Sequence, residues 1–452
     1  MKLVEKIKTI WSIEDLRIRI LNTLLFLLIF RLGTFIMLPG IDANIVAKMA
    51  ESGNNGLVGM ISAFSGGAFT KVSIFALGIM PYISASIVIQ LMTMAVPSIQ
   101  KLQKEGESGR KRINAYTRML TVIITLVQAP GYLKTYANEA IIEESTVFYV
   151  TSISIIVAST MFIMWLGERI TDKGIGNGVS LLITVGIIAQ LVPAFTAEIS
   201  MRLTDVNGGL VAFILELVVW FVVIIFTIML VQGVRRVPLQ SAKQIASGGA
   251  FLPNREEGGR EYLPLKVNIA GVMPIIFAQA IMFVPMAITG FLDDGGIVKT
   301  AMMELTDMTG FWYNLVSALM IVVFTYFYTA MVVDPRQMSD DFKRQGAFIP
   351  GVRPGTETRD YLDNIMSKLT LPGSLFLAAI AILPAFAQIA GISQGFAYFF
   401  GGTSLLIMVG VVLDTLQQIE SYLLMNKYDG FLESGKLRGR AQSSVSTTGI
   451  QG

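Results

Sequence analysis

The sequence predicts an all-α polytopic membrane protein with ten transmembrane helices. Three observations carry that prediction. Of 452 residues, 53% are hydrophobic and 15% are charged, whereas soluble domains carry about 25% charged residues. Apolar runs of the ~20 residues that a membrane-crossing helix needs recur along the whole chain. Lysine and arginine, finally, are concentrated in alternate connecting segments.

The first run, 20–37, follows Lys2, Lys6, Lys8, Arg17 and Arg19. It is longer than the apolar core of a cleaved signal peptide and leads into Leu38-Pro39-Gly40, so it reads as a retained span. Gly56–Val96 comes next and organises the chain. Its first part, Leu57–Phe69, is apolar but only a few helical turns long and is punctuated by Gly56, Gly59, Gly66 and Gly67, so it is too short to cross. Its second part, Val72–Val96, is long enough for span two but contains Pro81, Ser84, Ser86 and Gln90. A non-crossing segment before a broken, partly polar span fits a water-lined cavity. A surface loop before a kinked helix fits equally well.

The remaining spans are read at 116–134, 147–167, 178–195, 210–231, 268–290, 311–333, 370–388 and 402–425. Span seven is interrupted by Gly271, Pro274, Gln279 and Pro285, and span ten opens on Gly401-Gly402-Thr403-Ser404 and holds Asp414 and Glu420. Interrupted spans in both halves point to a central pathway between them. Glu216, inside span six, has no role assigned.

Charge sets the orientation. Segments 1–19, 97–115, 168–177, 232–267, 334–369 and 426–452 hold 28 Lys and Arg, while the opposite loops hold 5: Lys48, Lys71, Lys134, Arg202 and Lys299. The positive-inside rule places both termini in the cytoplasm. Segments 232–267 and 334–369 are far longer than the usual connection of about 4–6 residues. The first contains Arg235, Arg236 and Lys243, and the second Arg336, Lys343, Arg344 and Arg353. Loops of this length often bind something.

Several chemistries are excluded. With no cysteine and no histidine, the chain lacks disulfides, thiolate nucleophiles, the usual metal ligands and the usual proton shuttle. No GxxxxGK[ST] phosphate loop or HExxH pattern occurs. No catalytic residue, cofactor or metal is expected, and a net charge of +3 implies no nucleic-acid site.

Six blocks carry a family resemblance: SGGAFTKVSIFALGIMPYISASIVIQL, KEGESGRKRINAYTR, MWLGERITDKGIGNGVS, PLKVNIAGVMPIIFA, GAFIPGVRPGTETRDYLD and YFFGGTSLLIMVGVVLD. In this order, from Ser65 to Asp414, they resemble the SecY family of bacterial protein-conducting channels. The resemblance implies two inverted five-helix halves, 20–195 and 210–425, around a central hourglass pore. A plug at about 57–69 would close the outer funnel through Leu57, Met60, Ile61, Phe64, Gly66 and Gly67. The pore ring would fall on Ile79, Ile83, Ile183, Ile276 and Ile407. A ring of branched apolar side chains seals loosely around an extended peptide and dewets when empty.

The resemblance further implies a lateral gate between spans two and three and spans seven and eight, lined by Ser84, Ile87, Gln90, Pro274 and Gln279. Through it, apolar segments would partition sideways into lipid. Implied partners are SecE-type and SecG-type membrane subunits, a SecA motor or a ribosome on the two long loops, and the translocating precursor. Nucleic acid would be met only through the ribosome. The setting implied is the bacterial plasma (inner) membrane. Ser241-Ala242-Lys243-Gln244 departs from the family, where an aromatic residue, alanine and two basic residues are common. A secondary solute transporter is the rival class, since broken helices in two halves suit it too. It calls for polar binding groups at mid-membrane, where the matching positions here offer isoleucines.

Overall fold

The structure is a computed structural model that describes residues 8, 10–52, 62, 64–204, 209–241, 261–289, 304 and 309–433. Leu57, Met60 and Ile61 of the expected plug, and Lys243 of the first long loop, lie outside those residues.

In chain order the helices are α1 Glu14–Gly33, α2 Ala43–Ser52, α3 Met80–Ala95, α4 Pro97–Lys104, α5 Glu107–Thr135, α6 Thr146–Lys173 and α7 Gly178–Thr204. They continue as α8 Gly209–Gln232, α9 Met273–Thr289, α10 Phe311–Val332, α11 Pro335–Gln345, α12 Thr356–Ile389, α13 Gln394–Ala397 and α14 Gly402–Glu433. Each predicted span therefore carries a helix. Among the described residues, six stretches are long and apolar enough to cross a membrane unaided, and a seventh if the bent pair α3–α4 is one span.

The helix ends follow from local chemistry. Glu14 and Asp15 open α1 and Arg31 lies in its last turn, charges that complement the helix dipole. Ser145 caps α6 by accepting the Val147 N–H at 3.2 Å. Inside α5, Thr117, Thr121 and Thr125 each donate to the carbonyl four residues back, which satisfies buried hydroxyls where no water is available.

Span two is not continuous helix from Val72. The chain runs through turns to Gly78 and becomes helical only at Met80. Val72 and Gly78 have φ of +45° and +54°, which no right-handed helix accommodates. The backbone of this stretch is satisfied crosswise instead. Leu38 N–H donates to the Val72 carbonyl at 3.0 Å and Ile74 N–H to the Ile36 carbonyl at 2.9 Å. The Tyr132 hydroxyl donates to the Phe69 carbonyl at 2.8 Å. Irregular backbone persists at membrane depth only when buried and paired in this way.

The fold is also not purely α-helical. Strands β1 Val234–Ser241, β2 Glu261–Lys266 and β3 Ala347–Phe348 form an antiparallel sheet ordered β2-β1-β3. Its register pairs Val234 with Lys266 and Gln240 with Phe348. Apolar residues alternate along the strands, so Val237, Leu239 and Leu265 are buried with Ile349 and with Leu362 of α12. The two long loops thus share one small core.

Neighbouring helices pack in order: α5 against α3 and α6, α7 against α6 and α14, and α10 against α9 and α12. One apolar cluster takes residues from both ends of the sequence, including Phe30, Phe75, Leu166, Leu182 and Phe399.

Candidate functional site

That central cluster contains three of the five isoleucines expected at the constriction, and a fourth packs against it. Ile79 caps α3, Ile183 lies on α7 and Ile407 on α14, and they are 4%, 5% and 3% exposed within one packed group. Ile83, one turn along α3, packs against it. Four isoleucines from three helices thus share one apolar patch. Ile276 stands apart: it is half-buried on α9, beside Ile275, which packs with Ala278, Leu377 and Leu406.

Phe64 and Ala68 belong to the same cluster, so the described end of the plug-like segment abuts the ring. Gly66 has φ +67°, and a Cβ there would sit 3.0 Å from the Gly186 Cα. Glycine is required on both counts. Arg31 Nη1 donates to the Gly66 carbonyl at 2.8 Å. The Phe35 ring lies 4.8 Å from the Arg31 guanidinium and 4.3 Å from the Lys71 ammonium. Burial, and next the charge of Arg31, pull the Lys71 pKa below its ordinary value. Gly67 N–H donates to the Ser62 carbonyl at 2.8 Å, and the Ser62 and Thr70 hydroxyls are 3.0 Å apart.

The expected gate residues divide between two packed pairs, α3 on α5 and α9 on α10. Ile87 and Pro274 are buried, and Ser84 is half-buried. The buried Gln90 Oε1 has no hydrogen-bond partner among the described residues. Gln279 Nε2 donates to the Thr403 hydroxyl of α14 at 3.1 Å. This bond ties the Gln279 amide to span ten, beside a small cleft that also involves Tyr313, Gln388 and Ser404.

On the two long loops, Arg235, Arg236, Arg336, Lys343, Arg344 and Arg353 are all exposed. The β2-β1-β3 sheet, α11 and the start of α12 hold them on one unit. Asp334 caps α11 through the Arg336 N–H at 2.9 Å. Gly346, with φ +67°, closes that helix. The Arg353 side chain is 87% exposed and 3.8 Å from Glu357. Its main chain is held, since the Thr358 hydroxyl donates to the Arg353 carbonyl at 2.8 Å.

Two contact sets were not anticipated. Arg118 makes a two-point pair with Glu168, at 3.1 and 2.7 Å, joining α5 to α6. At the ends of α7 and α8, Arg202 pairs with Glu198 and with Glu216. Single arginines near span ends carry no periodic signal from which such pairing could be read.

Comparison with known proteins bears on the family and the fold. The SecY family profile matches residues 73–416. The chain is 39% identical over 446 residues to "Protein translocase subunit SecY" of Escherichia coli (strain K12), covering 95% of this chain and 96% of the relative. A solved structure described as "The structure of a protein conducting channel" superposes with a TM-score of 0.62 at 17% identity, covering 90% and 92% of the two chains. "Sec61 in the Canine ribosome-channel complex from the endoplasmic reticulum" superposes at 0.58 and 16%, with the same coverage. At those identities the two structures speak to fold.

Proposed function

This chain belongs to the SecY family of protein translocase subunits, and from that premise we propose that unfolded secretory polypeptides cross the membrane through the constriction at Ile79, Ile83, Ile183, Ile276 and Ile407. The protein is an integral membrane channel subunit of the translocase and not an enzyme.

The observation that carries the proposed path is the gathering of Ile79, Ile83, Ile183 and Ile407 from α3, α7 and α14 into one apolar group. Such a group closes around any extended chain without selecting side chains and excludes water when empty. The ten spans cross the membrane, with 20–195 and 210–425 as inverted halves and about 57–69 as the plug. An apolar segment leaves sideways past Ser84, Ile87, Gln90, Pro274 and Gln279, because its transfer to lipid is favourable and that of charges is not.

Energy comes from partners. The exposed cations on the inner unit, with Arg353 projecting from a held backbone, suit docking of a SecA-type motor. A ribosome is the second candidate, since one structural neighbour comes from a ribosome-channel complex. SecE-type and SecG-type subunits complete the assembly, and the setting is a bacterial plasma membrane with both termini inside.

The test is reconstitution of the purified complex in vesicles with the motor, ATP and a secretory precursor. Precursor protected from added protease, dependent on motor and ATP, supports the proposal. Motor-independent uptake of small solutes with no protected precursor contradicts it and favours the transporter class.

A further inference from the structure

Glu216 lies in an otherwise apolar span and has no part in the conduction path described above. Its surroundings give it one. Arg202, near the end of α7, donates through Nε to Glu198 Oε1 at 3.0 Å and through Nη2 to Glu216 of α8. The same Nη2 donates to the Gly391 carbonyl at 2.8 Å. Glu198 is fully buried, and its second oxygen accepts the Ser393 N–H at 2.9 Å. Gly391 and Ser393 belong to the connector between α12 and α14. One guanidinium and one carboxylate on α7 thus grip both the start of α8 and the connector that follows α12.

An aromatic block adjoins this polar knot. Phe396 of α13 packs against Phe195 of α7 and Trp220 of α8, with ring centroids 5.8 and 5.9 Å apart. The Trp220 indole N–H donates to the Phe399 carbonyl at 2.7 Å. A buried, multiply bonded charge group is costly to break by removing one partner, and planar two-directional donation is a property of arginine that lysine lacks.

We propose that Glu198, Arg202 and Glu216 form an outer clasp that fixes the angle between the two halves of the channel and so resists opening of the lateral gate. The proposal rests on the two-half reading given under Proposed function, because α7 ends the first half and α8 and the connector belong to the second. The members are not equivalent. Glu198 and Arg202 between them make the contacts to the connector. Glu216 offers Arg202 one acceptor oxygen, which a glutamine also supplies.

The chain has no cysteine, so spin labels attach only where they are placed. Labels at Val88→Cys on α3 and Ile281→Cys on α9, both exposed positions, report the gate by pulsed EPR in the assembled complex. Arg202→Gln is expected to shift the distance distribution toward longer values and to raise transport of a precursor with a defective signal sequence severalfold. Glu216→Gln is expected to leave both near wild type. Rescue toward wild type by Arg202→Lys is expected to be partial.

An assembled Arg202→Gln complex with an unchanged distribution and no gain on the defective precursor overturns the clasp, even if its thermal stability falls. Should Arg202→Gln fail to assemble, Arg202→Lys decides: wild-type distances and transport overturn the proposal, and intermediate opening upholds it. If the unsubstituted complex transports no precursor at all, the channel reading has failed, and the clasp with it.

Discussion

Arg31 of α1 donates a 2.8 Å hydrogen bond to the main-chain carbonyl of Gly66, 35 residues further on. The acceptor sits in the turn that joins the plug-like segment to the central cluster, and Phe35 holds the guanidinium from its other side. A side chain on the first helix thereby holds the neck of the segment expected to close the channel.

Removing that donor should loosen the seal. A hydrogen bond from a charged group contributes about 1.5 kcal/mol or more to the state that makes it, which is about a tenfold change in population. Arg31→Leu should therefore raise the resting ion conductance of the complex in planar bilayers without abolishing precursor transport. A conductance equal to wild type would show that the neck is held by other means.

Gly66 itself should resist substitution. An alanine there adopts a left-handed conformation at a cost of about 1–2 kcal/mol, and its Cβ meets Gly186 at 3.0 Å. Gly66→Ala should lower the thermal midpoint of the complex and raise its leak. An unaltered melting curve would mean that the turn adopts another shape.

Polarity at the ring should matter more than shape. Ile183 is 5% exposed within the isoleucine group. Ile183→Asn introduces an amide that recruits water to a constriction whose seal depends on dewetting. Ion leak, measured as iodide-dependent fluorescence quenching in vesicles, should increase for Ile183→Asn and stay low for Ile183→Leu. Equal leak from both variants would argue that packing rather than polarity makes the seal.

Arg353 should act on transport and leave the fold intact. Its side chain is exposed, while the turn is fixed by the Thr358 hydroxyl and by the Arg353 N–H, which donates to Glu357 at 3.3 Å. Arg353→Glu should keep stability within about 0.5 kcal/mol of wild type and reduce motor-dependent transport sharply. Thr358→Val, which removes a buried bond, should lower stability. Normal transport by Arg353→Glu would remove this arginine from the docking surface.

The helices were legible because membrane spans announce themselves through length and apolar content, and α8 and α10 match their predicted limits within a residue. The start of span two was misread because Val72–Ile79 is as apolar as a helix, and composition does not reveal a backbone held crosswise by Leu38 and Ile36. The β2-β1-β3 sheet did leave a signal, since Val237, Leu239, Leu263 and Leu265 alternate with polar or proline residues at strand period. That pattern was overlooked in loops read for charge. The proposed isoleucine ring rests on resemblance for its membership, because a single isoleucine in a span looks like every other. The Arg202 knot joins residues 189 and 195 positions apart, beyond the reach of local pattern.

A polypeptide path through the proposed isoleucine ring is directly testable, because the chain has no native cysteine. Single cysteines are placed at Ile79, at Ile276 and, as an exposed control, at Val218 of α8. A secretory precursor carrying one cysteine is stalled partway across, and disulfide formation is scored. Cross-links at Ile79 and Ile276 with none at Val218 are the predicted result. With the precursor demonstrably engaged, silence at both ring positions would contradict the account.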